Sequence, residues 1–157
     1  MRACGGEDPL DRIEAHSAVL VRNFELLRRR SMSSSELERA HYLLLRTLDT
    51  AGPHDIGSLA LQLGLDPSTV GRQVAAMEMD GLVLRAPDPA DRRRSVVEAT
   101  EAGLSRMRAT REYRRSEFAD LLQGWDVDDL HTLATMFGRY NEAVTQKYVR
   151  APAENTE

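Results

Sequence analysis

The chain has 157 residues, 41% of them hydrophobic and 29% charged, with a formal net charge of −4. That length and balance predict one compact globular unit over 1–157 rather than a disordered chain. No apolar run approaches the ~20 residues of a membrane span, and no secretory signal opens the sequence. One cysteine, Cys4, cannot form an intramolecular disulfide and fits a reducing, cytoplasmic setting.

Residues 1–7 and 151–157 are small or polar and are expected to fray. Residues 9–31 read as a helix, with Leu10, Ile13, Ser17, Leu20, Phe24 and Leu27 at alternating spacings of three and four. Such a narrow seam suits helix-on-helix packing. A second helix starts near Ser34, with Ser35 and Glu38 spaced as a capping box. Its inward residues are Leu37, Leu44, Leu45 and Leu48, and Gly52 and Pro53 stop it.

Two short helical patterns follow and meet at a tight break. Asp55 is a good N-cap, and Leu59, Ala60 and Leu63 then mark one buried face. Gly64 ends that helix where a left-handed residue is wanted. Asp66 caps the next helix, and Pro67 occupies its first turn, where a missing N–H costs nothing. Val70, Val74 and Met77 fall on one side, and Ser68, Thr69, Arg72, Gln73 and Ala76 on the other. The second face is polar and suits base edges and phosphates. An ordinary solvated helix face carries similar residues, so the hairpin that follows decides between the readings.

After Gly81, Leu82, Val83 and Leu84 make a short apolar run, and Val96 and Val97 make the returning one. Pro87, Asp88, Pro89 and Asp91 between them are loop formers. Arg85 stands at the base of this loop, and Arg92, Arg93 and Arg94 beyond its tip. An arginine triplet repels itself unless an anion is near. Asp91 is expected to pair with Arg93 and aim it.

Thr100 caps a long helix with Glu101 in its first turn and Leu104, Met107, Leu121 and Leu122 as core candidates. Trp125 and Asp126 mark a turn, with Asp126 capping a final helix. There Leu130, Leu133, Phe137, Tyr140 and Val144 repeat the three-four seam across residues 127–148. The two terminal seams have no evident partner inside so small a monomer, which points to a second copy. Eight arginines lie in 92–115, and residues 117–130 hold five acidic side chains with no Lys or Arg. Basic charge is thus concentrated on one part of an acidic protein, and the acidity elsewhere opposes indiscriminate adhesion to nucleic acid.

The run GLVLRAPDPADRRRSVVEATEAG resembles the wing signature of the MarR family (multiple antibiotic resistance regulators), and the preceding helix-turn-helix fits with its L-A, G-L and S-T-V. The resemblance implies a mainly α fold with a small β-hairpin wing. Residues 35–100 would form the winged-helix DNA-binding lobe, and 9–31 and 101–148 the dimerisation helices. It further implies a homodimeric, cytoplasmic transcriptional regulator, usually a repressor, on double-stranded DNA and released by a small molecule or by oxidation. Ser68, Thr69, Arg72 and Gln73 match the recognition-helix positions, and Asp91 and Arg93 the wing pair, with Arg92 and Arg94 beside it. Gly71 replaces a small hydroxyl residue, and Ala99 replaces leucine before Thr100. Family effectors bind between the two lobes, which singles out His16, His41, Tyr42 and Arg46, residues that would suit a small anionic or aromatic effector.

No HExxH, CxxC or phosphate-loop pattern occurs, and the four histidines are scattered, so no catalytic, metal or cofactor site is expected. Cys4 has only Arg2 nearby in sequence, thin ground for a redox role. The competing expectation is a winged-helix protein-interaction module without DNA activity. An apolar recognition face and an arginine-poor wing would favour it, and this sequence has the opposite of both.

Overall fold

A computed structural model of the chain describes residues 8–30 and 37–149. It divides between Glu36 and Leu37 into two units. Cys4, Arg2, Ser34, Ser35 and the C-terminal residues 150–157 lie outside the described residues.

The first unit is helix α1, Pro9–Arg30. Asp8 accepts a bond from Leu10 N–H at 3.0 Å and so caps its first turn. None of its residues is buried, and Leu10 and Ile13 are 71% and 57% exposed.

The second unit holds α2 (Arg39–Ala51), α3 (Ile56–Leu63), α4 (Pro67–Met79), β1 (Val83–Pro87), β2 (Ser95–Ala99), α5 (Glu101–Leu121) and α6 (Val127–Val144). A π turn, Thr145–Val149, continues α6. The mainly helical fold with one small hairpin is thus as expected. Helix α2 begins later than the capping-box pattern suggests: Glu38 stands at the N-cap and makes no side-chain cap bond.

The core forms where the apolar faces of α2, α3 and α4 meet the hairpin. Leu44, Leu45, Leu48, Leu59, Ala60, Val70, Val74 and Met77 are buried there with Leu82, Val83, Val97 and Met107. Those on α2, α3 and α4 lie on the inward faces that their spacing marks, Met107 is a core candidate of the long helix, and Leu82, Val83 and Val97 come from the two short apolar runs of the hairpin. Val83 points in and Leu84 out, because successive strand residues face opposite sides.

Two helix ends show why the chain turns where it does. Asp55 accepts from Ser58 N–H at 2.9 Å, closing the first turn of α3. Gly64 closes its end at φ +66°, in the left-handed region that a side chain disfavours. The N-cap of helix α4, Asp66, can therefore follow two residues later.

The hairpin is antiparallel, with Val83 opposite Ala99 and Pro87 opposite Ser95. His54 adds a single bridge on the other edge of β2: Val97 N–H donates to its carbonyl at 2.8 Å, and its own N–H donates to Val97 carbonyl at 3.2 Å. Thr100 joins the hairpin to α5. Its hydroxyl accepts from Gly103 N–H at 3.0 Å and donates to Gly81 carbonyl at 2.7 Å. Its N–H donates to Leu82 carbonyl at 3.0 Å.

Helix α5 runs back over α2. Leu37 N–H donates to buried Thr110 Oγ1 at 3.3 Å, and Arg114 donates to Leu37 carbonyl at 3.3 Å. Beyond that the helix leaves the core. Met107 is buried and Leu104 packs against the core, but Leu121 is 58% exposed and Leu122 only half-buried, so these last two are not core residues of this unit. Helix α6 likewise buries none of its residues. The π turn that follows it reaches α3, where Val149 lies against Gly64.

Candidate nucleic-acid interface

Helix α4 opens with a ring of polar groups. The Asp66 carboxylate accepts from Thr69 N–H at 2.9 Å, from Thr69 Oγ1 at 2.6 Å and from Ser68 Oγ. The Ser68 bond first, then those from Thr69, hold this carboxyl well below the usual carboxylate range. Both hydroxyl protons are thus committed to Asp66, which leaves the Ser68 and Thr69 oxygens to act as acceptors. Arg72 is exposed on the next turn, its Nη2 3.4 Å from Thr69 Oγ1. Gln73 is half-buried, and its Oε1 is buried without a hydrogen-bond partner. The polar face expected on α4 is present, but Gln73 turns its carbonyl inward.

The hairpin tip is closed by its own backbone and two aspartates. Asp88 N–H donates to Arg94 carbonyl at 2.9 Å, and Arg94 N–H to Asp91 carbonyl at 2.9 Å. Ala90 N–H donates to Asp88 Oδ1 at 2.8 Å, and Arg93 N–H to Asp91 Oδ1 at 3.0 Å. Asp91 therefore does not aim the Arg93 guanidinium by an ion pair, as the sequence led one to expect. It grips the Arg93 main chain two residues on, the local bond an aspartate makes in a turn. The shape of the tip is fixed and the Arg93 side chain is left to solvent.

The three arginines are not equivalent. Arg92 and Arg93 are exposed. Arg94 instead reaches Asp55, Nη2 to Oδ2 at 2.9 Å. Asp55 is held at its other oxygen by Ser58 N–H, while Ser58 Oγ donates to Oδ2 at 2.9 Å. These Ser58 bonds first, with Arg94 adding to them, hold the Asp55 carboxyl below the ordinary carboxylate pKa. At the base of the hairpin Arg85 pairs with Glu78 of α4 at 3.3 Å. Neither pair is legible in the sequence. Asp55 is identifiable as a cap, but nothing in the spacing brings it to an arginine 39 positions away.

The four residues singled out for an effector are dispersed in character. Tyr42 is 8% exposed, and the Arg114 guanidinium lies 4.6 Å from the centre of its ring. His41 is half-buried and Arg46 exposed on the same helix, while His16 is exposed on α1. Among the described residues no group of three or more His, Cys, Asp or Glu side chains gathers as a metal ion would need. No described helix is long and apolar enough to cross a membrane.

A capped pair of short helices, followed at once by a hairpin with exposed arginines, defines a winged helix-turn-helix protein. The sequence profile of the MarR family matches residues 37–95. YxaD of Bacillus subtilis strain 168, an uncharacterised HTH-type transcriptional regulator, is 32% identical over 137 residues, which cover 87% of this chain and 96% of YxaD. The chain belongs to the MarR family of transcriptional regulators. Solved structures share its fold. A MarR family protein from Bacillus stearothermophilus gives a TM-score of 0.75 at 19% identity, covering 90% of this chain and 99% of that one. The PcaV transcriptional regulator from Streptomyces coelicolor, in complex with its natural ligand, gives 0.64 at 24% identity, with 92% and 99% covered.

Proposed function

We propose that this protein is a cytoplasmic repressor that binds an imperfect palindrome in double-stranded DNA as a homodimer and is released by a small anionic or aromatic effector. The observation that carries DNA binding is the pairing of two exposed guanidiniums, Arg92 and Arg93, on a closed hairpin tip with an exposed polar face on α4. On this reading α4 enters a major groove with Ser68, Thr69, Arg72 and Gln73, and the wing lays Arg93 along the neighbouring minor groove. Asp91 serves it by shaping the tip.

Homodimerisation is supported by the apolar seams of α1 and α6. Leu10, Ile13 and Leu20 on one, and Leu130, Tyr140 and Val144 on the other, remain more than a third exposed. Release by a ligand is supported by PcaV, a relative in fold solved with its natural ligand. Of the residues proposed for that site, His16, His41 and Arg46 offer polar side chains. Tyr42 could contribute its ring only if Arg114 moved from its face.

The test is a gel-shift at moderate salt with the DNA upstream of the protein's own coding sequence, against a scrambled duplex of equal length. Selective retardation of the upstream duplex supports the reading. Equal or absent retardation of both favours a protein-interaction module instead.

A further inference from the structure

The arginine triplet at the wing looks uniform in sequence, and three free cations there would each add to DNA affinity. The structure separates them. Arg94 is a junction: its N–H and carbonyl both close the tip loop, and its side chain crosses to the first turn of α3. The carboxylate it meets is itself immobilised, because Asp55 is the N-cap of α3 and is held by both Ser58 N–H and Ser58 Oγ. A fixed anion at one end and a fixed backbone at the other leave the wing little freedom to swing about its base. The base is tied separately, through Arg85 and Glu78.

We propose that Arg94 is a positioning residue: pairing with Asp55 latches the wing to α3 and sets where Arg92 and Arg93 stand relative to α4. This rests on the reading of the wing as a DNA-contacting element. Asp55 neutralises Arg94, so Arg94 adds little to the positive potential of the wing, while Arg92 and Arg93 supply it. The pair is partly solvated, with side chains 60% and 29% exposed, so its effect is modest and lies in geometry rather than in global stability.

The experiment compares full-length wild type with Arg94→Gln, Arg94→Lys, Asp55→Ser, the Arg94→Gln/Asp55→Ser double variant and Arg93→Ala. Serine retains the α3 cap but is too short to reach Arg94. Affinity for a duplex carrying the protein's own upstream region is measured by fluorescence anisotropy across a salt series. Amide hydrogen exchange of residues 88–94 is followed in the DNA-free protein. Arg94→Gln and Asp55→Ser should each weaken binding by about two- to fivefold, the range of an exposed ion pair. The double variant should be no worse than either single one, and Arg94→Lys should retain most of the affinity. The salt slope should stay unchanged, and the tip amides should exchange faster in both single variants.

Two results overturn the latch: no change in exchange, or a flatter salt slope for Arg94→Gln together with tighter binding by Asp55→Ser. The second is the signature of a direct phosphate contact, since a freed cation releases a counterion and a removed anion helps. Arg93→Ala tests the underlying reading separately. If it leaves both affinity and slope untouched, the wing is not a DNA contact, whatever the exchange data show.

Discussion

Two glycines show how differently one residue type acts in this fold. A Cβ on Gly103 would lie 2.1 Å from Leu82 carbonyl, so only glycine lets α5 approach the end of α4 and the hairpin that closely. Gly71 sits inside α4, where a Cβ would meet nothing nearer than Ile56 Cδ1 at 4.0 Å. Gly103→Ala should therefore destabilise the protein by about 1–3 kcal/mol, the usual cost of forcing an atom into a packed junction. Gly71→Ala should stabilise it by about 0.5–1 kcal/mol, because alanine loses less backbone entropy in a helix. Urea unfolding midpoints of the two variants should move in opposite directions. The sequence marks both glycines, one as part of a motif and one as a departure from it. Neither cost was readable there, because each depends on an atom from another element.

At the scale of elements, the cap of α4 gives a pH prediction. The Asp66 carboxyl is lowered in the folded protein by bonds from Ser68 and Thr69. A carboxylate lowered on folding adds stability that is fully present above its unfolded value and is lost as pH falls toward the folded one. Asp66→Asn keeps a capping side chain but cannot titrate. The difference in urea midpoint between wild type and this variant should be constant above about pH 5 and should shrink below about pH 4, the usual carboxylate range. A constant difference down to pH 2.5, by the same denaturation, would show that the cap does not depend on ionisation.

The two DNA elements should also separate under mutation. Arg93→Ala should weaken binding to operator and scrambled duplexes alike and flatten the salt dependence, because its cation acts on groove potential and phosphates. Gln73→Ala should relax discrimination at one or two base pairs and leave the salt slope nearly unchanged. Gln73 Oε1 has no bond to lose in the free protein, so this substitution should leave folding intact. Anisotropy titrations with single-base operator variants distinguish the two outcomes.

At the scale of the whole molecule, the apolar seams set the prediction. Helices α1 and α6 bury none of their residues within one chain, and Phe118, Leu121 and Trp125 add further exposed apolar surface near the α5–α6 turn. A dimer interface of the obligate kind is large and apolar. Light scattering at micromolar concentration should therefore give twice the protomer mass. A variant lacking residues 1–31 should lose both the dimer and selective DNA binding. A folded monomer in that concentration range would contradict the reading. Footprinting should then show two half-sites about 10 base pairs apart or a multiple of that, as two-fold symmetry requires.

The local elements were determined by the sequence itself, because their signals are local. Asp55, Gly64, Asp66, Pro67, Thr100 and Asp126 act on backbone groups within four residues, and the structure finds each at the helix end its chemistry suits. The buried faces of α2, α3 and α4 were equally legible, since a helix repeats its inward positions every three or four residues. What only the tertiary structure decided are the encounters between distant segments. Arg94 meets Asp55 rather than Asp91 meeting the Arg93 guanidinium, His54 joins the edge of β2, and Arg114 covers Tyr42. Leu121, a core candidate as an apolar residue of the long helix, lies exposed, because an apolar side chain does not specify what its face of the helix meets. A charge or an apolar stripe acquires its partner only when packing brings another element within a few ångströms, and no spacing along the chain encodes that distance.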